Sequence, residues 1–112
     1  MPLPDTEYIN HMLEECRFLL MLHVSGPTAL EDDPLVSRAV VRSLEIIGEA
    51  SRQLSEPTKQ ALPEIPWRMI SGMRNRLIHE YFGVDYDIVF SVVQDEIPAL
   101  TKALEQYLKE II

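Results

Sequence analysis

The chain has 112 residues, the length of one domain, and a formal net charge of −8. Such acidity argues against a protein that coats nucleic acid nonspecifically, but it leaves room for a local basic cleft. A composition of 46% hydrophobic and 25% charged residues excludes a disordered chain.

The first segment, MPLPDTEY, has no basic-then-apolar leader pattern. A helix is expected from Asp5 or Thr6 to about His23, with Ile9, Met12, Leu13, Cys16, Leu19, Leu20 and His23 on one side. Cys16 is the single cysteine, so no intrachain disulfide can form, and its small apolar side chain suits a core. His11 and Glu15 are four apart, but a lone pair makes a poor metal site. His23 fits a helix C-terminus, where positive charge is favoured.

Ser25 to Pro34, SGPTALEDDP, reads as a turn-rich loop with a solvated acidic run at Glu31, Asp32 and Asp33. Asp33 before Pro34 is an N-cap and first-turn pair. The helix it opens runs to about Leu54 on a stripe of Leu35, Val36, Ala39, Val40, Leu44, Ile47, Ala50 and Leu54. Gly48 inside it costs roughly 1 kcal/mol against alanine, which a close helix or dimer approach would justify. Three prolines in SEPTKQALPEIP leave room for one short helical turn.

Pro66 opens the next expected helix, which turns Trp67, Ile70, Met73, Leu77 and Ile78 inward and ends near Gly83. Asp85 or Asp87 caps a last long helix on Val89, Val92, Val93, Ile97, Leu100, Ala103 or Leu104, Tyr107 and Ile111. Pro98 inside it predicts a kink. No apolar run approaches the roughly 20 residues that span a bilayer. The expectation is an all-α, up-and-down bundle of four main helices plus a short one, one domain over 1–112, cytoplasmic and not in a membrane.

The charge pattern singles out one stretch. From Ile65 to His79 there are three arginines, Arg68, Arg74 and Arg76, and no carboxylate. If residues 66–80 are helical, at about 100° per residue, Asn75 and His79 share one face and Arg74 and Tyr81 another. Histidine titrates near neutrality, with an unperturbed pKa of about 6.5, and arginine grips phosphate with two parallel N–H donors. Together they can cleave RNA without metal: a base takes the 2′-OH proton and a cation stabilises the phosphorane charge. One chain supplies one such histidine; a symmetric dimer supplies two. The same residues also fit a plain reading, with Arg74 and Arg76 on a solvated face and His79 at a helix end. Trp67 beside Arg68 fits core packing, with base stacking as the minor reading.

RNRLIHEYF, with Arg74, four residues, His79, one residue and Tyr81, resembles the R-x4-H-x-Y motif of HepT-type toxins in the HEPN ribonuclease superfamily. Asn75 after the arginine fits the same pattern. RSLEIIGEASRQLSE is similar to the family's second helix, and IVFSVVQDEIPAL to its last helix with the internal proline. The resemblance implies a HEPN bundle and a homodimer whose motifs meet in a cleft. It implies catalysis by Arg74 and His79 with Asn75 supporting, no metal and no cofactor. Arg68 and Arg76 become candidate RNA contacts. It further implies a toxin–antitoxin pair of type VII-like character, in which an MntA-type nucleotidyltransferase places AMP on Tyr81 and silences the ribonuclease. The alternative is a non-catalytic subunit that binds nucleotide or substrate for a nucleotidyltransferase. A third reading is a plain helical interaction module.

Overall fold

The structure, a computed structural model, describes residues 3–79 and 83–111. Helices dominate: α1 (Asp5–Met21), α2 (Pro27–Glu31), α3 (Pro34–Arg52), α4 (Glu56–Ala61), α5 (Trp67–Ser71), α6 (Met73–Leu77), α7 (Tyr86–Ser91) and α8 (Ile97–Ile111). The expectation of an all-α bundle is met. The strands among the described residues are β1 (Ile78–His79) and β2 (Gly83–Val84), an antiparallel pair in which Ile78 faces Val84 and His79 faces Gly83.

Helix α1 packs along α3 and α8, and its expected stripe is largely the observed core. Ile9, Met12, Leu13, Cys16 and Leu19 are buried against Val40, Leu44, Ile47, Leu100 and Leu104. Burial pushes the Cys16 thiol up to about 11, so the sulfur stays protonated in the core. Ser43 Oγ donates to Glu15 Oε1 at 2.7 Å and pins α1 to α3. Asp33 caps α3 as expected, its carboxylate accepting from the Val36 amide at 3.2 Å.

Gly48 has the close approach that its cost calls for. A Cβ there would lie 2.9 Å from the Ile70 carbonyl oxygen and 3.1 Å from Met73 Cβ, so α3 touches α5 and α6 at backbone distance. Beside it, Ser51 Oγ meets Ser71 Oγ at 2.8 Å, and Arg52 Nε donates to the Ser71 carbonyl at 3.0 Å. Trp67 is half-buried and its indole N–H is shared between the carbonyls of Lys59 and Leu62, both at 3.1 Å.

Several sequence expectations need correction. Residues 25–34 are not all loop: Pro27 starts α2, which buries Leu30. Leu35 is not on the buried stripe of α3; it is 85% exposed, on the side of the first turn away from Val36 and Ser37, which pack inward. Leu20 and His23 are likewise exposed, and α1 stops at Met21. The helix expected from Pro66 towards Gly83 is two short helices separated at Gly72, and the second ends at Leu77.

Where a kink is expected at Pro98, the chain has a wider turn just before it. Helix α7 runs into α8 through a π-helical turn, Val92–Glu96, in which the Ile97 amide reaches back five residues to the Val92 carbonyl. The inserted residue shifts the hydrogen-bond register just where proline has no amide to offer. Among the described residues, no helix is long and apolar enough to cross a membrane.

Candidate active site

The basic stretch lies where the chain runs through short helices, α5 and α6 of five residues each and α7 of six. Helix α6 is anchored by Met73 and Leu77, both fully buried. Between them the chain has to expose Arg74 and Asn75, and both are exposed. At Ile78 the backbone turns extended (φ −120°, ψ 119°), a conformation that suits a β-branched residue. The chain then pairs with itself. Gly83 returns it with φ 73°, a left-handed geometry in which glycine bears no Cβ penalty. The Asp85 amide closes the loop on the Leu77 carbonyl at 2.7 Å.

Asn75 and His79 therefore do not share a face as steps of one helix. They meet instead on the wall of an open cleft, with Arg76 beside them and Asp87, Ile88, Ser91 and Val92 opposite. His79 also borders a second, more polar cleft formed with Thr28, Glu31, Tyr86 and Asp87. Its side chain is 48% exposed, open enough for a large substrate to reach the ring.

Arg76 is held rather than loose. Its Nη1 donates to Glu96 Oε1 at 3.0 Å and its Nη2 to Glu96 Oε2 at 2.6 Å, a two-pronged pair that ties α6 to the π-helical turn. Arg74 is exposed on α6, and among the described residues it has no carboxylate within 4.0 Å. Arg68 lies on α5 in a separate shallow groove with Glu56, Lys59, Gln60, Trp67 and Ser71. The structure thus brings Asn75, Arg76 and His79 to one cleft and places Arg68 elsewhere. Tyr81, expected on the Arg74 face, lies outside the described residues.

Two carboxylates at the site escaped the sequence reading as site residues. Asp85 was legible as a helix cap, and it is one: its Oδ1 accepts from the Ile88 amide at 3.1 Å. Its second oxygen, Oδ2, lies 3.4 Å from His79 Nε2. The glycine-centred reversal between them was the available signal. Glu96 had none, because only the π-helical turn sets the direction it points.

The fold and this cleft define an all-α domain that displays an arginine–histidine motif at the end of a short helix. The model of the HepT-like ribonuclease family ("Ribonuclease HepT-like") matches residues 9–107. The chain is 45% identical over 106 residues to the "Putative RNase TTE0752" of Caldanaerobacter subterraneus subsp. tengcongensis, covering 92% of this chain and 93% of the relative. It is 48% identical over 71 residues to the "Probable ribonuclease HepT" of Thermococcus cleftensis, covering 63% of this chain and 64% of that one. It is 40% identical over 74 residues to the "Putative RNase MJ1380" of Methanocaldococcus jannaschii, covering 66% and 68%. No solved structure matches the chain. The chain belongs to the HepT-like ribonuclease family.

Proposed function

We propose that this ribonuclease of the HepT family is a metal-independent endoribonuclease toxin, silenced when an MntA-type nucleotidyltransferase transfers AMP to Tyr81. The observation that carries the reading is the accessible imidazole of His79 on a cleft wall with Asn75, five residues along from the exposed Arg74. His79 takes the proton of an RNA 2′-OH. The 2′-oxygen then bonds to phosphorus, and the bond from phosphorus to the 5′-oxygen breaks. Arg74 stabilises the charge on the phosphorane, and Asn75 supports it with neutral hydrogen bonds. The departing 5′-oxygen takes a proton from the His79 of a second copy of the chain, so the working unit is a homodimer. The products are a 2′,3′-cyclic phosphate and a 5′-hydroxyl. Arg68 and Arg76 are candidate RNA contacts, Arg76 the less available because Glu96 occupies both of its terminal nitrogens.

Silencing follows from charge and bulk. AMP on Tyr81 adds a phosphodiester anion and a nucleotide two residues from His79, which competes with RNA for arginine. The test is intact-mass measurement and RNA cleavage after incubation with the nucleotidyltransferase and ATP. The reading expects mass gains in AMP units mapped to Tyr81, loss of cleavage, and a Tyr81→Phe variant that gains no mass and stays active. Silencing of Tyr81→Phe by the partner and ATP would place the switch elsewhere. Sedimentation equilibrium showing an active monomer at micromolar concentration would remove the dimer.

A further inference from the structure

We propose that Asp85 is a positioning residue for His79: it holds the Nε2 side of the ring and so presents Nδ1 to the RNA. The inference rests on the reading of His79 as the proton-transfer group. The backbone that carries each end of the contact is held. His79 is paired with Gly83 across the small hairpin. Asp85 is held through its amide, which donates to the Leu77 carbonyl, and through Oδ1, which accepts from Ile88. The remaining oxygen, Oδ2, lies 3.4 Å from Nε2, an ion-pair contact when the ring is charged. Among the described residues Asp85 is the one carboxylate within 4.0 Å of the ring. Among the described residues, the other charged or titratable groups around His79 are Arg76 on α6, Tyr86 and Asp87 on α7 and Glu31 on α2. Arg76 is neutralised by Glu96.

The chemical consequence follows from the inventory of an imidazole. The neutral ring has one N–H and one lone pair, and a carboxylate only accepts. The nitrogen facing Asp85 therefore carries the hydrogen, and the lone pair that takes a proton sits on Nδ1. This is the division of labour that orienting carboxylates perform for other catalytic and metal-bound histidines.

The decisive variant is Asp85→Asn. Asparagine caps a helix as well as aspartate does, so its amide oxygen can keep the Ile88 bond and the fold. Its amide NH2 then faces Nε2, donor to donor, and drives the hydrogen to Nδ1. Long-range 1H–15N NMR of the imidazole reads the tautomer in the free protein, with no RNA present. The expected result is an Nε2–H tautomer in the wild type and an Nδ1–H tautomer in Asp85→Asn. In RNA cleavage the variant loses about tenfold or more in kcat, within the range for misdirected acid–base catalysis, at nearly constant KM and Tm. Asp85→Ala, which also loses the cap, drops in Tm as well, whereas a merely structural cap would spare Asp85→Asn altogether. An unchanged tautomer with wild-type kcat in Asp85→Asn overturns the inference. Full activity of His79→Ala overturns the functional reading instead, and the tautomer measurement still decides the contact.

Discussion

The α1–α3 pair and the segment from α6 to α7 are built in opposite ways. The pair is long, regular and apolar on its facing sides: Ile9, Met12, Leu44 and Ile47 are completely buried, and the polar link between Glu15 and Ser43 is satisfied. The segment is a five-residue helix, a hairpin of two two-residue strands and a six-residue helix. Helices that short do not stand alone in water. They persist because Met73, Leu77, Val89 and Val92 are driven into the shared core. The lesson is one of allocation. The frame provides rigidity through burial, and the segment spends its few buried residues on anchoring so that Arg74, Asn75 and His79 remain exposed.

That contrast predicts a double dissociation, and the largest effects lie there. Leu44→Ala in the frame is expected to cost about 2–5 kcal/mol, read as a lower denaturation midpoint, while any folded fraction keeps its cleavage chemistry. Arg74→Ala is expected to leave the midpoint nearly unchanged and to lower RNA cleavage about a hundredfold. An Arg74→Ala variant that unfolds would show that the segment is structural after all.

Gly48→Ala sharpens the comparison because it lies where the two regions touch. The added methyl meets the Ile70 carbonyl and Met73, so α5 and α6 have to move off α3. The expected cost is about 1–3 kcal/mol, with a loss of cleavage larger than that instability explains, since α6 carries Arg74. A stable, fully active Gly48→Ala would mean that the contact does not position the motif.

A smaller effect belongs to the frame alone. Asp5 accepts hydrogen bonds from the Ser55 hydroxyl and amide and from the Thr58 hydroxyl, joining the start of α1 to α4. The Ser55 and Thr58 hydroxyls hold its carboxyl below the usual value of 3.8. Because the folded value is the lower one, the bond contributes fully above that ordinary value and is lost as pH falls below it. Asp5→Ala should cost about 1 kcal/mol at pH 7, a fall of about 4–8 °C in Tm, and the difference from wild type should shrink in acid. A gap that widens below pH 4 would contradict the sign. The smallest expectation concerns Cys16. Its buried thiol, raised to about 11, should resist a thiol reagent at pH 8 until the protein unfolds.

The long helices were legible because their apolar residues recur at helical spacing over many turns, as in α1, α3 and α8. The caps Asp33 and Asp85 were legible from side-chain type and position, and the cost of Gly48 pointed to a close approach. The site was legible as residues but not as geometry. Periodicity carried a helix across residues 66–80, whereas Gly72 breaks it and the pairing of Ile78 with Val84 stops it at Leu77. Those are tertiary choices, and local propensity does not encode them. Leu35 failed for the opposite reason: spacing put it on the stripe, but in the first turn of α3 it is Val36 and Ser37 that face the core and Leu35 that faces out. The π-helical turn that points Glu96 at Arg76 leaves no mark in a pattern read at 100° per residue.

The central claim, that an arginine–histidine pair on this segment cleaves RNA without metal, is tested most directly by one assay. Purified chain, free of nucleotidyltransferase and held in EDTA, is incubated with RNA alongside His79→Ala, and the product ends are identified. The account predicts 2′,3′-cyclic phosphate ends from the wild type and none from His79→Ala at equal Tm. Cleavage that appears only when magnesium is added, or that His79→Ala carries out equally well, would contradict it. Nucleotide binding with no cleavage at all would favour the non-catalytic subunit instead.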